Sequence, residues 1–210
     1  MLRFAVDIWG DCNVKHQNKA HNIFHGCRGT DREKGINSLR KTGEIMGFVK
    51  TDIKDLHLDP FKSIGDDWML ITAGDERGFN TMTASWGFMG VMWGKNCIEA
   101  VIRDSRHTLG FVEANELFTV SFYGKEYRKA LQICGSISGK DCDKVQKAGL
   151  TPLFIDGTAA FEEAHTILVC RKLYTQRMDI ARLCESEQHW YKDGDPHNAI
   201  IGEIVTAYTR

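Results

Sequence analysis

Asn80-Thr-Met-Thr-Ala-Ser-Trp-Gly87 packs three hydroxyls, at positions 81, 83 and 85, and the amide of Asn80 into one extended run that continues into Trp86, Phe88 and Met89. Immediately upstream, Trp68-Met-Leu-Ile-Thr-Ala73 is apolar and bounded by Gly65-Asp66 and Gly74-Asp75, the pattern of a buried strand. A turn at Glu76 to Gly78 and a second strand over roughly Asn80 to Trp86 make the two a hairpin.

The same reading extends to the C-terminus. Cys97 to Arg103 reads as a third strand, and Thr108 to Asn115 has helical spacing with Thr108 as N-cap candidate. Leu117 to Tyr123 alternates Phe118, Val120 and Phe122 against Thr119, Ser121 and Tyr123, as a half-buried strand does. Short helices are expected at Lys125 to Ile133 and at Asp141 to Ala148, the second capped by Asp141 and stopped by Gly149. Strands at Ala164 to Tyr174 and Ala199 to Tyr208 follow, separated by a polar loop with a helical turn near Ile180 to Cys184. The fold class is therefore mainly β with inserted helices, a Greek-key-like antiparallel barrel rather than a doubly wound sheet, because strands paired through short turns need no crossover helix.

Composition narrows the function. Of 210 residues, 42% are hydrophobic and 26% charged, the balance of a globular domain. Lys and Arg total 27 against 28 Asp and Glu, so the chain lacks the basic footprint needed to grip nucleic acid. No apolar stretch approaches the roughly 20 residues of a membrane-spanning helix, and no membrane partner is expected. Seven cysteines, without a C-x-x-C pair, suit reduced thiols in a cytoplasmic protein better than a disulfide framework.

Residues 1–45 read differently from the rest. They are polar, without helical or alternating period, and carry His16, His21 and His25 beside Cys12 and Cys27, with no scaffold to fix metal geometry. Gly43-Glu44-Ile45 reverse-translates as GGAGAAATA ahead of the Met46 codon, the form of a bacterial ribosome-binding site and spacer. The expectation is that residues 1–45 are a non-native or disordered extension and that the domain spans 46–210. The intact mass of the endogenous protein tests this: a mass starting at Met46 is expected, and one that includes residues 1–45 contradicts it.

Four constellations could carry chemistry. The rim of a planar heterocycle such as isoalloxazine needs aligned donors beside an apolar face, and Asn80 to Trp86 offers both; the same composition also suits an edge strand whose Thr and Ser face water. Arg103-Asp-Ser-Arg-His-Thr108 places Arg103, Ser105, Arg106 and Thr108 at a helix start, an arrangement that holds a phosphate or forms a solvated charged turn. With no Gly-rich dinucleotide fingerprint, a mononucleotide is favoured. Cys134-Gly-Ser-Ile-Ser-Gly-Lys-Asp141 is a small polar loop able to approach a phosphate or ribityl chain, or a simple connector, with Cys134 as a packed thiol. His197 stands at the entrance to the last strand, as a nicotinamide contact or a structural residue.

Taken in order, Asn80-Thr-Met-Thr-Ala-Ser85, Arg103-x-Ser-Arg-x-Thr108, Ser136-x-Ser-Gly-Lys-Asp141 and His197 through Gly202-Glu203 resemble the flavin reductase-like family of FMN-binding split β-barrels, and within it the flavoredoxin-like branch. The resemblance spans about Asp59 to Tyr208. It implies a homodimer with one FMN per subunit, held by Asn80, Thr81, Met82, Thr83, Ala84, Ser85 and Trp86 along the strand. The phosphate would lie near Arg103, Ser105, Arg106 and Thr108, with Ser136, Ser138 and Lys140 near the flavin's tail or the partner subunit and His197 near the nicotinamide. It further implies an oxidoreductase that takes electrons from NADH or NADPH and passes them to a small-molecule or protein acceptor. No catalytic acid or base is expected, because the cofactor carries the hydride chemistry. The alternatives are an electron carrier of the flavoredoxin type without a nicotinamide site, and a barrel that has lost its flavin site.

Overall fold

The computed structural model describes residues 44–210, so the segment 1–43, with its histidines and Cys12 and Cys27, lies outside the described residues. The strands are β1 (Glu44–Ile45), β2 (Phe48–Thr51), β3 (Met69–Asp75), β4 (Gly78–Ala84), β5 (Gly87–Met92), β6 (Lys95–Arg103), β7 (Leu117–Phe122), β8 (Pro152–Ile155), β9 (Thr158–Phe161), β10 (Thr166–Arg177) and β11 (His197–Thr209). Among the described residues three α-helices are inserted: α1 (His107–Ala114), α2 (Arg128–Ser136) and α3 (Lys144–Ala148).

All pairings are antiparallel, and the main sheet runs β4-β3-β7-β10-β11 before it divides. Along one edge of β11, His197 to Glu203 pairs with β6 and Ala207 to Thr209 pairs with β2. Its other edge pairs with β10 over nearly its whole length, with bulges at Val169/Cys170 and Lys172/Tyr174. Bulges bend and twist a strand locally. The curl carries β5 and β6 round to where β4 ends, and the short link Ser85-Trp86 closes that seam.

The central strands are apolar on both faces, so two cores form with a period of two. Ile71, Phe118, Val120, Leu168, Ile200 and Ile204 fill the barrel interior. Leu70, Ile167, Val169 and Tyr208 face outward beneath α2 and the β8-β9 hairpin, with Leu131 and Phe161. Between β3 and β4 the buried Thr72 and Thr81 hydroxyls satisfy each other at 2.8 Å.

Several boundaries differ from the sequence expectation. The run 80–86 is not one strand: β4 stops at Ala84 and β5 begins at Gly87, pairing with β6 through the Trp93-Gly94 turn. Thr108 does not cap α1; Arg106 is the extended residue before the helix, and the Thr108 hydroxyl accepts from Asn80 Nδ2 at 2.9 Å. Asp143 rather than Asp141 caps α3, because its carboxylate reaches the Gln146 N–H at 2.9 Å, and Gly149 ends the helix with φ 68° as expected. α2 runs on to Ser136, so the first three residues of the supposed Cys134 to Asp141 loop are helical. Cys134 is fully buried, and burial pushes its thiol up to about 11, the state of a packed thiol. The β8-β9 hairpin was missed, although Asp156-Gly157 with φ 49° and 83° is the two-residue turn that primed hairpins use.

Gly202 sits where β11 crosses the barrel interior; a Cβ there would lie 2.6 Å from Phe118 Cζ and 3.1 Å from Cys170 Cβ. Gly202→Ala is expected to destabilise the fold by about 1–3 kcal/mol, the usual cost of overpacking a core. Phe118→Leu added to it should recover part of the loss in urea unfolding; additive destabilisation would show that the clash is not with Phe118.

Candidate functional site

Two recesses flank the seam and share Thr83, Ala84 and Ser85. Because Ser85 and Trp86 lie between two strands, they stand outside both ladders. The first recess is walled by Trp86, Val101, Arg103, Arg106, Trp190 and His197, with Met82 at its base. The second runs between β4 and α2 and is lined by Trp68, Leu131, Gln132, Gly135 and Ser136. Gly135 allows the close approach: a Cβ there would lie 3.2 Å from Thr83 Cβ, and Thr83 Oγ1 donates to Leu131 O at 2.5 Å. At the far end the Arg128 guanidinium stacks on Trp68, 3.2 Å from the ring centroid.

The structure brings together Met82, Thr83, Ala84, Ser85, Trp86, Arg103, Arg106, Ser136 and His197 around these recesses. It places others elsewhere. Thr81 is fully buried against Thr72, and Asn80 and Thr108 are buried and bonded to each other, so none of the three lines either recess. Ser138 accepts from the Lys140 N–H at 3.2 Å, and both residues lie beyond the two linings.

The cationic stretch is used unevenly. Arg103 Nη1 donates to the Asp193 carboxylate at 3.0 Å and to Asp195 O at 2.9 Å, while Nη2 donates to Trp190 O at 3.1 Å. Ser105 gives both its N–H, at 3.0 Å, and its hydroxyl, at 2.6 Å, to the Asp195 carboxylate. Two residues expected to hold a phosphate thus hold the chain's own carboxylates. Of the Arg106 donors only Nη1 is engaged among the described residues, with Gly135 O at 2.7 Å. Arg106 also immediately precedes α1, which has no side-chain cap. A free guanidinium edge beside an uncapped helix start is an anion-binding arrangement.

His197 is 7% exposed; its Nδ1 lies 2.9 Å from the Tyr191 hydroxyl, and its ring centroid lies 5.0 Å from that of Trp86. Burial, then the Arg103 charge, holds its pKa below the usual histidine value, so the ring is neutral at neutral pH. Sequence reading missed Trp190 and Tyr191. The one signal available was the aromatic cluster His189-Trp190-Tyr191 inside an otherwise polar segment.

These features fit a flat, polar-rimmed ligand with an anionic tail: two residues at the seam outside both ladders, a groove between β4 and α2 where Gly135 lets the helix close on Thr83, and Arg106 nitrogens unengaged among the described residues. Comparison with known proteins agrees in fold. The family model described as Flavin reductase like domain matches residues 61–210. A flavoredoxin structure from Methanosarcina acetivorans aligns with a TM-score of 0.56 at 20% identity, covering 69% of this chain and 68% of that one. An FMN-binding domain of a flavin reductases-like enzyme from Shewanella baltica aligns with a TM-score of 0.56 at 15% identity, covering 77% and 76%. An NADH:FAD oxidoreductase from Streptomyces globisporus aligns with a TM-score of 0.53 at 16% identity, covering 69% and 75%. Among curated proteins, none matches the chain. No helix among the described residues is long and apolar enough to cross a membrane.

His197 and His165 both have pKa values lowered by burial, so the unfolded chain binds protons more readily than the folded one at mildly acid pH. Stability contributed by these rings is complete above the unfolded value of about 6.5 and falls as pH drops below it toward the folded values. The thermal midpoint should decline over that window, and His197→Gln should make the decline shallower. An unchanged slope in the variant would show that His197 titrates as it does in the unfolded chain.

Proposed function

The chain belongs to the flavin reductase like domain family, and on that premise we propose that it is an FMN-binding oxidoreductase moving electrons from NADH or NADPH to a downstream acceptor. The observation that carries the reading is the pair of recesses meeting at Thr83 to Ser85, one bordered by Arg106 nitrogens unengaged among the described residues and the other running along α2 past Gly135 and Ser136. The Thr83 to Trp86 segment would hold the ring system, with Trp68, Gly135 and Ser136 along one side and Arg106 meeting the phosphate. Bound there, FMN would supply hydride acceptance and electron transfer.

The chain's own residues then position and exclude. Neutral His197, fixed by Tyr191, and the indoles of Trp86 and Trp190 form the wall of the recess that would receive donor and acceptor. Excluding water there strengthens polar contacts inside and keeps reducing equivalents from side reactions. Such a walled recess favours an enzyme acting on small molecules over a carrier that meets only a protein partner. The proposed setting is cytoplasmic, with Cys97, Cys134, Cys142, Cys170 and Cys184 free. The proposed assembly is a homodimer through the β5-β6 hairpin, where Phe88, Val91 and Trp93 are 71%, 75% and 61% exposed.

Arg106→Ala is expected to weaken FMN retention by roughly ten- to a hundredfold, the scale of losing charge-assisted hydrogen bonds, while hydride transfer in the remaining holoprotein changes little. Unaltered FMN affinity would remove Arg106 from the phosphate site. Anaerobic NADH or NADPH should bleach the bound flavin; a flavin that neither reduces would instead identify the electron carrier.

A further inference from the structure

The segment between β10 and β11 folds back as an arm that supplies Trp190 to the wall of the first recess. It carries a short helical turn, Glu185–Tyr191, and ends in the turn Asp193-Gly-Asp195. Four of its contacts fasten it to the barrel: Arg103 to the Asp193 carboxylate, Arg103 to Asp195 O, Arg103 to Trp190 O, and Ser105 to the Asp195 carboxylate. A fifth, from Trp190 Nε1 to Glu187 Oε2 at 3.1 Å, fixes the indole itself. The result is to set Trp190 against Trp86, with ring centroids 5.1 Å apart and planes at 85°.

Two half-exposed indoles at right angles do not sandwich a ligand, but they make an inner corner. A flat ring lying on the face of one meets the other edge-on, both favourable aromatic geometries. His197, tilted 43° to Trp86, continues the wall as a neutral ring; of the two guanidiniums lining the same recess, Arg103 is matched by Asp193 and Asp195, and Arg106 is the one the flavin reading gives to the phosphate. On that reading the corner is aromatic and offers a second ligand no unmatched charge. Indole faces carry negative potential and attract electron-poor rings.

We infer that the corner of Trp86, Trp190 and His197 binds the electron acceptor, that the acceptor is a planar electron-poor ring of the quinone class, and that Arg103 and Ser105 are positioning residues that hold the arm. The inference rests on the flavin reading above. In balance, the quinone gains two electrons and two protons to become the hydroquinone, one hydride coming from NADH or NADPH and one proton from solvent.

The test is equilibrium dialysis of the purified protein with duroquinone, whose fully substituted ring does not alkylate thiols such as the exposed Cys184, with FMN content read on the same samples. Saturable binding is expected, weakened about tenfold by Trp190→Ala, the loss of one stacking wall, and by less than threefold in Trp190→Phe, which keeps an aromatic face. Asp195→Asn, away from the corner, should also weaken duroquinone binding by loosening the arm. Equal binding in wild type and Trp190→Ala overturns the inference. Protein that holds FMN yet binds no duroquinone also overturns it and leaves the flavin reading standing. Protein without FMN that binds duroquinone through Trp190 supports the corner and defeats the flavin reading.

Discussion

The architecture hangs on one strand serving two neighbours along a single edge. β11 is 13 residues long, and its first half hydrogen-bonds β6 while its last residues bond β2. Strands in a sheet lie about 4.8 Å apart, so two partners on one edge of β11 must take different portions of it, and β6 is thereby drawn away from β2. The bulges in β10 follow the same bend. The sheet then curls until β4 and β5 are separated by only two residues, Ser85 and Trp86, and both recesses open there. Site position is thus a consequence of pairing, set before any side chain of the site is chosen.

That dependence explains what the sequence disclosed. Alternation in 117–122 and the apolar run in β3 identify strands because burial of one or both faces imposes a period the eye can find. Antiparallel order and the family resemblance together carried the barrel. The interruption at Ser85-Trp86 was not legible, since nothing in Thr-Ala-Ser-Trp marks where hydrogen bonding to β3 ends and a new hairpin begins. Cap residues failed for a related reason: Thr108 and Asp141 are good caps by type, but the choice between them and Arg106 or Asp143 was made by tertiary contacts such as Asn80 to Thr108.

At the site, the structure gathers some of the expected residues around the recesses and sets others elsewhere. Ser85, Trp86, Arg106, Ser136 and His197 do gather at the seam. Thr81 and Asn80 share their strand yet satisfy internal partners, because a strand that borders a groove on one side is packed by β3, α1 and α2 on others. Arg103 and Ser105 bind carboxylates 90 residues away in sequence, a pairing no local pattern announces. Acidic residues of the arm neutralise one of the two guanidiniums, and among the described residues Arg106 keeps open donors.

The central claim is that the seam holds a flavin mononucleotide. The most direct measurement is the visible spectrum and FMN stoichiometry of the purified protein, taken as isolated and after dialysis against excess FMN. The account predicts the absorbance of bound oxidised flavin at about one FMN per chain. A colourless protein that remains without FMN after dialysis would contradict it.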